Sequence, residues 1–450
     1  MVRVSRRIFL LRSVIAGMLP VLPKFVQKSE AMTNDKIGQT SQVFRSVNGS
    51  PVENVEKVVE LAGGIQRYIG EIDIVLIKPN GQWWNQGAPN LAVMRRFVGL
   101  VMDRPGGFRG EVIVAENCHR GPRPWESPDS AWRRSWARNV DIPGISNLGG
   151  LCDELKKQYG KRFSVVHWLD VAQGSRRVAG PEEGEGYVYC DGTRGVPLIV
   201  CESDEKGSRA RSTIMSYPIF KSDNGTFVDF KNGIWEKGEY TGQPLRFINF
   251  AALNHHSTYC GMTSAVKNYL GISDLSGGPD PENGGILTGK HYNFHSFPFD
   301  KWAPGPQLGM LGKAVGMFMA TVRRADLNIT TAEWAGLSSR VDPPVARMRV
   351  VLASTDPVAL DYHAAKYLLY PNSGIAAHNP DRLKSALRHD LIACAHESAG
   401  VFGDEGVVVN SFDYVTKRRQ GSTEMVLHGD IEWGGEVQPL LKYLYMRLFS

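Results

Sequence analysis

The six cysteines of this chain, Cys118, Cys152, Cys190, Cys201, Cys260 and Cys394, include no C-x-x-C pair. Closely spaced thiolates are what an iron–sulfur cluster or a zinc knuckle requires, so no self-contained cluster is expected. No apolar run beyond the N-terminal segment approaches the roughly 20 residues of a membrane-spanning helix. Internal repeats and long low-complexity tracts are also missing. So, for most of the chain, is an excess of basic charge. The formal net charge is +6, but residues 1–31 hold Arg3, Arg6, Arg7, Arg12, Lys24 and Lys28 against Glu30 alone. The remainder is close to neutral, which removes the electrostatic case for binding nucleic acid. Short basic clusters such as Arg133-Arg134, Arg176-Arg177 and Lys417-Arg418-Arg419 read as solvated surface.

The N-terminal segment has a pattern of its own. Ser5-Arg6-Arg7-Ile8-Phe9-Leu10-Leu11 is a twin-arginine sequence, followed by a mostly apolar run through Leu22 and small residues at Ser29 and Ala31. This is the form of an export signal cleaved after Ala31. The expectation is a periplasmic or otherwise exported protein, a partner of the twin-arginine translocation machinery, with no stable membrane span after cleavage.

Behind the signal, residues 32–55 read as a polar linker and 56–450 as one α/β domain, with a Gly-, Asp- and Lys-rich insertion at 170–245. Hydrophobic content of 42% and charged content of 22% are those of an ordinary globule. Strand-like runs at Ile72–Ile77, Glu111–Ala115, Ser164–Trp168, Pro197–Cys201, Phe247–Phe250, Leu327–Thr331 and Arg349–Ala353 alternate with helical periodicity at Asn90–Met102, Leu308–Arg324 and Arg382–Ser398. Asp356-Pro357 has the cap and first-turn residues of a further helix running to about Leu369. The alternation predicts a mainly parallel or mixed sheet covered by helices.

Chemistry-bearing residues concentrate at Asn254-His255-His256-Ser257-Thr258-Tyr259-Cys260-Gly261, followed by Met262-Thr263-Ser264-Ala265-Val266-Lys267-Asn268-Tyr269-Leu270-Gly271. In open α/β sheets, ligands gather beyond the carboxyl ends of the strands, and this stretch follows a strand-like run. His255 and His256 would face opposite sides of an extended strand, so one enters a site while the other packs. Either is a candidate acid/base or metal ligand. His291 and His295, four apart, would share one helical face and with His256 could hold a divalent metal. Lys267 sits one turn into a helix that begins near Thr263, where amides favour an anion. It reads as an anion-binding cation, as a nucleophile if desolvated, or as the partner of Asp356 or Asp361. Asn268 would orient a substrate. At earlier strand ends, Lys78 with Asn80, and Glu116 with Asn117, Cys118 and His119, either reach the same site or belong to polar turns. Trp83-Trp84 and Trp125, Trp132 and Trp136, amid arginines, read as a ligand or partner surface or as core.

Three blocks, Ile74-Val75-Leu76-Ile77-Lys78-Pro79-Asn80, Gly261 to Gly271, and Val351-Leu352-Ala353-Ser354-Thr355-Asp356-Pro357-Val358-Ala359-Leu360-Asp361, stand in the order found in the domain-of-unknown-function family 362, which the chain resembles over roughly residues 70–415. Many relatives carry a ferredoxin-like cysteine module, which this sequence lacks. The resemblance confers no reaction. The function expected from the residues is a metal- or cofactor-assisted enzyme for a small anionic substrate, with Lys78, Asn80, Glu116 and Thr263 binding it. The alternative is a non-catalytic exported binding or assembly protein using the same cleft and a tryptophan-rich surface.

Replacing Arg6 and Arg7 together by Lys is expected to leave unprocessed precursor in the cytoplasm, read by cell fractionation. Normal export of the double variant would overturn the signal.

Overall fold

Ile74–Pro79 and Glu111–Glu116 are buried at every position, as strands covered on both faces must be. The structure is a computed structural model that describes residues 40–449 apart from 119–125, 129, 172–175, 208–209, 276–285, 289–290, 299–307 and 421–425. The twin-arginine segment, His119 and Trp125 lie outside the described residues.

The main sheet contains β1 (Ser41–Val47), β2 (Ile74–Pro79), β3 (Glu111–Glu116), β4 (Phe163–His167), β5 (Leu245–His255), β6 (Leu327–Gly336), β7 (Val345–Ser354), β8 (Val407–Asp413) and β9 (Arg418–Gln420). They lie in the order β9-β8-β1-β7-β6-β5-β2-β3-β4. From β6 to β4 all pairs are parallel, whereas β7 runs antiparallel to both β6 and β1. The sheet is mixed and the fold is α/β.

Period-two alternation sends successive side chains to two separate cores. Leu76, Ile113 and Phe247 join one; Val75, Ile77, Val114 and Ile248 join the other. The second core is closed by helices Pro51–Leu61, Leu91–Met102 and Leu148–Tyr159, through residues such as Val58, Phe97 and Leu151. The first is closed by Met310–Thr321, Pro357–Ala364 and Ala386–Ser398, through Phe318, Leu360 and Leu391. Within 170–245 an antiparallel five-stranded sheet spans Gly186 to Tyr240 and adds Tyr187, Ile219 and Phe220 to that same core.

The linker expectation for 32–55 is corrected over its described part. Ser41–Val47 is an interior strand, and a capping box of Ser50 and Glu53 starts the first helix at Pro51. Polar Arg45 and Ser46 hide the strand in the sequence, yet Arg45 is fully buried. Its Nε donates to Ser411 and its Nη1 to His363 Nε2. Asp356 caps the helix at Pro357 by accepting from the Val358 and Ala359 amides at 2.9 and 3.3 Å. That helix continues through a widened turn at Ala365–Leu369. No described helix is long and apolar enough to cross a membrane.

Candidate functional site

Lys78, Asn249, Asn328 and Ser354 form a row across four strands. Register pairs Lys78 with Asn249, Asn249 with Asn328, and Asn328 with Ser354. Asn249 Nδ2 donates to Asn328 Oδ1, and Asn328 Nδ2 donates to the Ser354 carbonyl. Asn268 lies across the row, donating to Asn249 Oδ1 at 2.7 Å and to the Lys78 carbonyl at 3.0 Å. The buried Lys78 ammonium has three protons and three partners: Asn268 Oδ1 at 2.6 Å, the Pro79 carbonyl at 2.9 Å and Glu116 Oε1 at 3.1 Å. Burial is the largest influence on both members of the ion pair. It moves Glu116 up to about 7 and Lys78 downward, against their mutual attraction. Gly271 permits the close approach, since a Cβ there would lie 2.6 Å from Lys78 Nζ and 3.0 Å from Glu116 Oε1.

These strand ends open on a cavity of about 60 Å³, room for a few water-sized groups. Lys78, Glu116, Thr263, Lys267, Asn268, His256, His295 and Arg340 are among the residues that line it. His256 Nε2 lies 2.8 Å from Arg340 Nη1. Guanidinium only donates, so Nε2 is an acceptor and the neutral ring carries its proton on Nδ1. That proton faces Cys260 Sγ at 3.1 Å and Ser257 Oγ at 3.3 Å. Burial, then the charges of Lys267 and Arg340, hold the imidazole well below its usual pKa. Burial pushes the Cys260 thiol up to about 11.

Lys267 differs from Lys78. It is half-buried and makes no hydrogen bond or ion pair among the described residues. Desolvation, with Arg340 and Lys78 adding repulsion, lowers it to about 8, although Cys260 and Asp390 oppose the shift. Two neutral acceptors also face this region without partners. Asn117 Nδ2 donates to the Ser273 carbonyl and Asn254 Nδ2 to the Gln86 carbonyl, which orients both amides. Their Oδ1 atoms are buried and accept nothing among the described residues.

The other expected site residues separate. His255 faces away from the cavity, with Nδ1 2.9 Å from His378 Nε2. Asn80 stays on the cavity wall, but its side chain is engaged within the fold, donating to the Gly87 carbonyl and accepting from the Ala252 amide of β5. His291 is absent from the cavity wall, its Nδ1 2.8 Å from Ser212 Oγ. The three-histidine metal set is therefore not assembled, because His291 is in a short strand, not on a helical face with His295. Among the described residues no group of three His, Cys, Asp or Glu is placed to hold a metal.

Residues 245–366 match the family model of a domain of unknown function, DUF362. No curated protein matches the chain. The matched segment carries His256, Lys267 and Arg340, while Lys78 and Glu116 come from strands before it.

The helix carrying Lys267 begins at Ala265, not Thr263, and spans only Ala265–Asn268. Its first amides are taken: Asp361 accepts from Ala265 and Val266 at 2.9 and 2.8 Å. Those amides, where the sequence suggests a cation, are what satisfies the buried Asp361 carboxylate. Desolvation nevertheless raises Asp361 to about 7. Arg340 was not legible as a site residue. It follows Ser338-Ser339 in the β6–β7 connection and lies over the Trp83 ring at 4.4 Å. Trp132 and Trp136 are buried in the core.

Asn249→Ala would strip partners from Asn268, Asn328 and the Ala265 carbonyl together. A loss of about 3 kcal/mol or more is expected in urea unfolding; a loss below about 1 kcal/mol would show that the row is dispensable.

Lys267→Met tests the unpaired charge. A lysine depressed from 10.5 to about 8 weakens the fold as pH falls through that interval. The variant should therefore melt above the wild type at pH 7, with the gap closing as pH rises toward 10.5. A variant that melts lower at pH 7 would show that Lys267 has a stabilising partner.

Proposed function

We propose that the chain is an exported enzyme acting on a small anionic substrate, bound where β2, β3 and β5 end. The observation that supports it is Lys267: an ammonium on the wall of a small cavity lined mostly by buried residues, with no hydrogen-bond or ion-pair partner among the described residues. A desolvated cation is costly until an anion pairs with it. Arg340 adds a second positive charge beside the neutral His256. Glu116, with its pKa near neutrality, is suited to exchange a proton with a bound substrate. Lys78 and Asn268 act as positioning residues, holding Glu116 and the turn that carries Lys267. The twin-arginine pattern supports export and the periplasm. Assistance by a metal or cofactor stays part of this reading, but the His256–His291–His295 set gives it no support. Any metal would need other donors.

A non-catalytic binding protein is the second reading. It is favoured by the full engagement of Lys78, Asn268 and Asn80 within the fold, which leaves fewer groups for chemistry than the sequence suggests.

Titration calorimetry with a panel of small inorganic anions and carboxylates tests the shared premise. Lys267→Met is expected to weaken the best binder by about 10- to 100-fold, while Lys157→Met, at an exposed position, leaves it unchanged. Equal binding by wild type and Lys267→Met would remove Lys267 from the site. Metal analysis and intact mass of natively exported protein test the cofactor; turnover of a bound anion separates enzyme from binder.

A further inference from the structure

The same amine that attracts an anion carries a lone pair when deprotonated. We propose that Lys267 condenses with the carbonyl of a small 2-oxo carboxylate and holds it as an imine in this cavity. The inference rests on the reading of the cavity as a small-anion site. Four features of the wall converge on it. Among the described residues, Lys267 Nζ makes no hydrogen bond or ion pair to hold its proton. Arg340 lines the cavity to receive the carboxylate. Asn117 Oδ1 and Asn254 Oδ1 are buried acceptors without donors among the described residues, suited to the hydroxyl of a carbinolamine. Glu116 lines the same wall as an acid/base group, held by Lys78. The neighbouring thiol is a poor competitor, since Cys260 is tied to His256 and its pKa is pushed up to about 11. Desolvation of Lys267, to about 8, brings its neutral form within reach near physiological pH.

The step balances without an oxidant. The amine nitrogen attacks the carbonyl carbon, and a C–N bond forms. The carbonyl π pair moves to oxygen, which takes the proton that the nitrogen gives up. The nitrogen lone pair then expels that hydroxyl, which leaves as water with a proton from Glu116. Deprotonation of the iminium returns the proton to Glu116. The sum is amine plus ketone giving imine plus water.

Borohydride trapping of the full chain with pyruvate or glyoxylate tests this. The expected result with pyruvate is one adduct, heavier by pyruvic acid less one oxygen atom, mapped by peptide mass spectrometry to Lys267. Lys267→Arg, which keeps the charge but forms no imine, should still bind pyruvate in calorimetry and trap nothing. Trapping scattered over surface lysines, trapping at Lys78, or no adduct while pyruvate still binds would overturn the imine and leave the anion site standing. Absence of binding by every small anion would overturn both.

Discussion

The buried Lys78–Glu116 ion pair constrains everything near the cavity. Two opposite charges at the ends of adjacent parallel strands are out of water, and removing either partner would strand the other at a cost of about 3–5 kcal/mol. The fold meets that constraint with direct contacts. Lys78 spends all three protons, and the turn at Gly271 comes close enough that even a methyl group would collide with the pair. The ion pair thereby sets where the Ala265–Asn268 turn lies, and with it where Lys267 lies.

From that point the polar row spreads through the sheet. Asn249 and Asn328 occupy positions that an ordinary parallel sheet fills with valine or isoleucine. Each amide is oriented by the next, so the four strands and the turn above them are locked in one register. A one-residue slip of β5 would send Asn249 to the opposite core and break several bonds together. The site's rigidity comes from this network. The cavity groups that stand outside this network are Lys267, the Arg340–His256 couple, and the Asn117 and Asn254 amide oxygens. Histidine and arginine fix one another, since the guanidinium can only donate and thereby sets the tautomer of the ring.

Much of this was legible in the residues. Short apolar and β-branched runs predicted the central strands to within a few positions, and Asp356-Pro357 announced its helix because capping chemistry is local. Adjacent histidines on a strand must diverge, and they do: His256 enters the cavity and His255 meets His378. Less local features were hidden. Arg45 and Ser46 disguise an interior strand, because the partners of Arg45, Ser411 and His363, lie more than three hundred residues away. Asp361 is satisfied by amides nearly a hundred residues earlier. Arg340 carries no sequence signal, standing in a polar connection that looks like any surface loop.

The sequence by itself determined the α/β class, the central strands, the crowding of polar chemistry after Leu253 and the nearly neutral charge beyond the first 31 residues. Those properties follow from periodicity, composition and nearest neighbours. Only the tertiary structure decided which lysine is paired. Lys78 and Lys267 each end or follow a buried run and look alike in the chain. One is surrounded by three acceptors contributed by β2, β3 and the turn at Asn268; the other feels the cations Arg340 and Lys78, with only the Cys260 thiol and Asp390 opposing them. A lysine's role depends on the field at its ammonium, and that field is assembled from strands far apart in sequence.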